Sequence, residues 1–148
     1  MSTEVIVKNV MTENPLTVGP DAPLRQAVNL MRERKIRHLP VVEDGGRLVG
    51  MLTDRDVRHA ALVPALAQHL PWELRRLKSL RIRDVMTWSV VTTHPEATLA
   101  QAGVIMFQRR IGSLPVVEEG RLVGILTETD VLSALTKGQE TDPDALVW

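Results

Sequence analysis

Apolar positions recur along this chain in two rhythms, and the same succession of rhythms comes twice. Leu24, Ala27, Val28 and Met31 fall at three- and four-residue intervals, the spacing of a helix with one buried face. Asp21 stands where an N-cap belongs, and Pro23 is tolerated in a first turn. Leu39 to Glu43 (LPVVE) and Arg47 to Leu52 (RLVGML) are aliphatic, β-branched runs joined by Asp44-Gly45-Gly46, which predicts a hairpin. Ahead of the helix, Leu16, Thr17 and Val18 make a short strand candidate closed by Gly19-Pro20, and Thr53 opens a second helix. The unit is therefore β-α-β-β-α, about fifty residues long and too small to bury its own layers well, so it needs a partner.

That partner is in the same chain. A shift of 75 residues lays VMT at 10–12 on VMT at 85–87, and it sets Pro20, Leu24, Ala27, Met31 and Ile36 on Pro95, Leu99, Ala102, Met106 and Ile111. LPVVE recurs at 114–118 and RLVG at 121–124, after Asp44-Gly45-Gly46 has shortened to Glu119-Gly120. With one gap, 26 of the 47 paired positions between 10 and 57 are identical, which establishes an internal duplication. The expected layout is unit 1 at 8–60, a helical connection at 61–82, unit 2 at 83–135 and a flexible tail at 136–148. In the connection, Leu62 to Leu80 are broken by Pro64 and Pro71. This predicts a continued helix, a break and a short amphipathic helix from about Trp72, whose Arg75, Arg76, Lys78, Arg81 and Arg83 read as a solvated face, with a binding patch as the alternative.

Charge and composition narrow the function. Eighteen basic residues balance eighteen acidic ones, so bulk electrostatics would hold neither nucleic acid nor an anionic bilayer. Aromatics are 3% of the chain and offer no stacking platform for single strands. Zero cysteines remove disulfides, thiolate metal sites and a cysteine nucleophile. No basic segment followed by a long apolar stretch opens the chain, and its longest nearly apolar run, 60–67, contains Pro64. A soluble, cytoplasmic protein is expected.

The constellation that carries chemistry is G-h-h-T-x-x-D, where h is apolar. It occurs as Gly50 to Asp56 and again as Gly124 to Asp130. A Thr followed three residues later by an acid at a strand-to-helix junction is a capping box. The same place offers helix N-terminal N–H groups to a phosphate, a hydroxyl to a phosphate or ribose oxygen, and a carboxylate to a ribose diol. The two roles are compatible. No nucleophile elbow, Walker loop or glycine-rich dinucleotide turn is present, and Asp54, Asp56 and His59 lack a second histidine at a metal-ligand spacing. Catalysis, a metal and a resident cofactor are not expected.

The doubled VMT…P…LxxA…M…I…LPVV…RLVG-h-L-T-x-x-D pattern resembles a tandem pair of CBS domains, a Bateman module, over residues 8–135. The wording IRHLPVVEDGGRLVGMLTDRDVR and IGSLPVVEEGRLVGILTETDVL is similar to the CBS pair of bacterial acetoin-utilization accessory proteins. Those usually carry a further ACT-type domain, which this chain is too short to include, so the expectation stops at the module. The resemblance implies an α/β (α+β) fold of two pseudo-symmetric units packed through their sheets, with two clefts for AMP, ADP, ATP or S-adenosylmethionine. It implies that Thr53, Asp56, Thr127 and Asp130 reach phosphate and ribose. Thr17, Val18, Pro40, Thr92, Thr93 and Pro115 are the expected base-lining positions.

The copies differ where a ligand's charge would be felt. Arg37-His38 precedes the first LPVV and Gly112-Ser113 the second; inside the last motif Asp54-Arg55 stands against Glu128-Thr129. Because basic side chains before this strand reach phosphates in some relatives, Arg37, His38 and Arg55 make the first copy the candidate for an anionic nucleotide. The expected function is regulatory adenine-nucleotide binding in a homodimer acting on an unidentified protein. The alternative is a ligand-free dimerisation scaffold.

Overall fold

The computed structural model describes residues 4–66 and 80–137, with residues 61–66 described by their backbone alone. A single 3-10 turn, Val7–Asn9, leads to β1 (Thr12–Glu13), α1 (Leu24–Arg34), β2 (His38–Glu43), β3 (Arg47–Thr53) and α2 (Asp54–Leu66). A second such turn, Ile82–Asp84, leads to α3 (Leu99–Arg109), β4 (Ser113–Glu118), β5 (Arg121–Thr127) and α4 (Glu128–Thr136). This is the mixed α/β fold expected. The named strands form one antiparallel sheet, whose two hairpins meet edge to edge at Arg47 and Arg121.

The hairpins are near copies. His38 pairs with Thr53 and Ser113 with Thr127, and each hairpin has its bulge at the same place, between Val41 and Val42 and between Val116 and Val117. The shorter second turn places Glu119 (φ 53) and Gly120 (φ 79) in the left-handed region, the geometry that matches a tight turn to the twist of its strands.

Each unit has its own core, and each core borrows from the other copy. Leu24, Ala27, Met31, Leu39, Val41 and Leu52 of the first copy close over Ile82 and Met86, which open the second copy in sequence. Reciprocally, Leu99, Ala102, Met106, Leu114, Val116 and Leu126 close over Val7, with Val10 and Met11 packed against them. Backbone hydrogen bonds fix the exchange: Thr87 N–H donates to Met51 O (2.9 Å) and Met51 N–H to Thr87 O (3.0 Å). On the other side β1 pairs with β5, Thr12 opposite Ile125.

The motif glycines make this possible. A Cβ at Gly50 would lie 2.6 Å from Met86 Sδ and 3.0 Å from Thr87 O, and one at Gly124 would lie 2.6 Å from Met11 Sδ and 3.0 Å from Thr12 O. Only a residue without a side chain lets the borrowed segment approach so closely.

Three expectations change. The strand expected at 16–18 contracts to single parallel bridges, Val18 with Val41 and Thr93 with Val116, because only these residues reach the hairpin. Asp21 does not cap α1: Pro23 holds the N-cap position with no side-chain bond, Leu24 N–H donates to Leu80 O, and Asp21 instead pairs with Arg83 (2.8 Å) and Arg81 (3.8 Å). Arg81 and Arg83 are thus ion-paired rather than merely solvated. Finally, α2 continues through Pro64 to Leu66. The amphipathic helix expected from Trp72, its Arg75, Arg76 and Lys78, and the tail beyond 137 lie outside the described residues.

Candidate functional site

Both G-h-h-T-x-x-D motifs end at a strand-to-helix junction and both form complete capping boxes. Thr53 N–H donates to Asp56 Oδ2 (3.0 Å) while Asp56 N–H donates to Thr53 Oγ1 (3.2 Å). The Thr127 and Asp130 pair repeats this at 2.9 and 3.3 Å. Capping fixes each carboxylate at a helix start, where it faces the segment borrowed from the other copy.

Two clefts result. The first, of about 580 Å³, is lined by Thr53, Asp54, Arg55, Asp56 and Arg58 from one unit, and by Thr87, Val91, Ile111, Ser113 and Pro115 among residues of the other. The second, of about 730 Å³, sets Thr127, Glu128 and Thr129 against Thr12, Asn14, Pro15 and Leu16. Arg37, His38, Gly112 and Glu128 line both, so the wall between the clefts is shared.

His38 and Ser113 occupy equivalent positions in the duplication and meet across this wall, Nδ1 to Oγ at 3.0 Å. A Cβ at Gly112 would sit 3.4 Å from the imidazole, so the ring lies close against glycine backbone at the position equivalent to Arg37. Burial holds the His38 pKa below its ordinary value of 6.5, outweighing the upward pull of Asp54, Glu128 and Asp56; Arg37 adds to the lowering. A neutral ring accepts from the Ser113 hydroxyl at Nδ1 or donates to it there, according to tautomer.

The expected site residues divide into two groups. Thr53, Arg55, Asp56, Arg37, His38 and Pro115 converge on the first cleft, and Thr127, Arg37 and His38 on the second. Asp130 touches the second cleft through Thr12, whose hydroxyl donates to its carboxylate at 3.4 Å. Thr17 and Thr92 are exposed, whereas Val18, Pro40 and Thr93 are buried, and none of these five lines either cleft. Val18 belongs to the first core. Cleft residues not anticipated include Thr12, Asn14, Lys35, Arg58, Thr87, Ser89 and Arg110; the recurrence of VMT itself was the signal for Thr12 and Thr87.

Among the described residues no group of three or more His, Asp or Glu side chains has the arrangement of a metal site, and no helix is long and apolar enough to cross a membrane.

Comparison with known proteins places this architecture. A CBS domain-containing protein of Dictyostelium discoideum is 33% identical over 141 residues, 95% of this chain and 97% of its own. The inosine-5′-monophosphate dehydrogenase of Methanocaldococcus jannaschii is 35% identical over 130 residues, but the match covers 87% of this chain and only 22% of that enzyme. Among solved structures, CBSX2 in complex with AMP superposes with a TM-score of 0.78 at 27% identity, over 92% of this chain and 99% of that one. A putative acetoin utilization protein (AcuB) from Vibrio cholerae gives 0.76 at 29% identity, over 95% and 100%. The CBS domain pair of protein MJ0100, in complex with 5′-methylthioadenosine and S-adenosyl-L-methionine, gives 0.73 at 29%, over 93% and 100%. The CBS domain model matches residues 7–63 and again 82–137, and the chain belongs to the CBS domain family as a tandem pair.

Proposed function

We propose that this CBS pair is a regulatory module, not an enzyme, that binds an adenosine-containing nucleotide such as AMP, ADP, ATP or S-adenosylmethionine, with the first cleft as the anionic site. The observation that carries the reading is the placement of Asp56. Its carboxylate and the Thr53 hydroxyl line a cleft closed by the other unit, with Arg37, Arg55 and Arg58 around them. A carboxylate suits a ribose diol, and a helix start flanked by arginines suits phosphate. The second cleft differs at this point, since Thr12 already engages Asp130, while among the described residues the equivalent Thr87 donates to no side chain. The adenosine compounds held by CBSX2 and by the MJ0100 pair support the ligand class. The cytoplasm, where such nucleotides are held, is the proposed setting.

A second reading, a dimerisation scaffold, has one observation in its favour. Val104, Phe107, Leu132 and Leu135 of α3 and α4 are exposed, Phe107 to 85%, and a homodimer would cover them. The readings combine if nucleotide binding alters how the dimer engages a regulated protein. Calorimetric titration of AMP, ADP, ATP and S-adenosylmethionine, with light scattering on the same sample, separates them. The nucleotide reading expects saturable binding by at least one ligand. It also expects about 2.7 kcal/mol of added stability at a hundred times its Kd. A dimer that binds none of the four leaves the scaffold.

A further inference from the structure

The wall between the two clefts holds a proton with two seats. His38 lines both clefts, Ser113 lines the first alone, and His38 Nδ1 lies 3.0 Å from Ser113 Oγ. The other edge of the ring lies against Gly112. A Cβ there would sit 3.4 Å from both Cε1 and Nε2 of the imidazole and 3.6 Å from the Glu128 carboxyl carbon, so Nε2 and that carboxylate flank one point. Asp54, Glu128, Arg37 and Asp56 are the charged groups that act on the ring, and burial outweighs them, so in neutral solution the ring is uncharged. A neutral imidazole donates at one nitrogen and accepts at the other, and its neighbours decide which.

We infer that the His38–Ser113 hydrogen bond couples the two clefts, so that a nucleotide in one weakens binding in the other. The inference rests on the nucleotide reading above and adds to it that both clefts bind and are not independent. Before a ligand binds, the Ser113 hydroxyl donates to Nδ1 and the Nε2 proton is directed toward Glu128, an acid beside a donor. A ligand oxygen in the first cleft that accepts from Ser113 draws this hydroxyl proton away from Nδ1. Ser113 Oγ then accepts from the ring instead: Nδ1 takes a proton from water, Nε2 returns one, and the net charge is unchanged. Glu128, which lines both clefts, loses its donor and presents an uncompensated carboxylate to the second cleft. An anionic ligand is disfavoured there. Linkage makes the effect reciprocal, because each ligand changes the other's affinity by the same factor.

The test follows AMP titrations by amide NMR, with Ser89 reporting the first cleft and Asn14 the second, since each lines only one of them. Wild type is compared with Asp56→Asn, which disables the first cleft, and with Asp130→Asn, which disables the second. All three are repeated with Ser113→Ala, and melting temperatures confirm that each variant is folded. Loss of a neutral hydrogen bond corresponds to roughly twofold to tenfold in affinity. Whichever cleft fills last in the wild type should therefore take AMP roughly twofold to tenfold more weakly than in the variant whose other cleft is disabled. Adding Ser113→Ala should bring those two affinities together. In the wild type, the ring-nitrogen signals of His38 should exchange donor and acceptor character as Ser89 saturates. A ring that keeps its tautomer, a difference that survives Ser113→Ala, or equal affinities in the wild type and the single variants overturn the coupling and leave the nucleotide reading standing. AMP confined to one cleft in every protein overturns it as well. Absence of AMP from both clefts of the wild type removes the coupling together with AMP as a ligand.

Discussion

The two units have matching cores and differ around their clefts. Leu39 and Leu114, Val41 and Val116, and Leu52 and Leu126 are equivalent pairs, all fully buried, and the hairpins keep the same register and bulge. Around the clefts the copies part company: Arg37 faces Gly112 in the alignment, His38 faces Ser113, Arg55 faces Thr129 and Arg58 faces Leu132. After a duplication, packing penalises change at every buried position of both copies, because a core tolerates neither voids nor excess volume. A cleft wall carries no such constraint, so charge there is free to follow a ligand. On the proposed nucleotide reading, stability rests with the core the copies keep and ligand choice with the cleft residues they do not.

The kept part can be broken symmetrically. Gly50→Ala and Gly124→Ala each drive a methyl against a methionine sulfur and a backbone carbonyl of the borrowed segment. Each should cost about 1–3 kcal/mol in urea unfolding, the range for overpacking. The two costs should be similar, because the two sites superpose. A large loss at one glycine and none at the other would mean that only one segment is truly exchanged.

The unlike part gives a smaller, pH-dependent effect. His38 is held below its ordinary pKa of 6.5 chiefly by burial, so between that value and its folded-state value the unfolded chain binds more protons than the folded one. The stability of the neutral ring is fully present above about pH 6.5 and falls as the pH drops through the folded value. His38→Gln should flatten that acid-side decline in melting temperature and leave the neutral-pH value nearly unchanged. Ser113, its counterpart, cannot titrate in this range, so the effect belongs to one copy only. An unchanged acid slope in His38→Gln would show that the wall between the clefts does not carry this charge sensitivity.

Much of this was legible in the sequence, and the misses have physical reasons. Helices, hairpins and the doubled motif follow from periodicity and turn chemistry, which are local. The exchange of the segments around Val7 and Ile82 was not legible, because a hydrophobic run reports that it is buried and not which unit buries it. The same limit hid the reason for Gly50 and Gly124, which is a close approach by chain some 36 or 113 residues away. Asp21 looked like a cap, but Leu80 O takes the Leu24 N–H, and Arg81 and Arg83, at the junction with the second copy, take the carboxylate. The place of Thr53 and Asp56 in a cleft wall was legible because their capping box and the cleft fall at the same strand-to-helix junction. The meeting of His38 with Ser113 follows from pseudo-symmetry, since equivalent positions near the axis face each other.

The central proposal is that Arg37, in the wall shared by the two clefts and with glycine as its counterpart, reads a ligand's phosphate. Titration of AMP and of adenosine into the wild type and Arg37→Ala tests it most directly. A charge-assisted contact contributes roughly 1.5–3 kcal/mol, so AMP should bind on the order of tenfold to a hundredfold more weakly to the variant. Adenosine, which has no phosphate, should bind both proteins nearly alike. Equal losses for AMP and adenosine would contradict the claim, because Arg37 would then shape the cleft without reading phosphate.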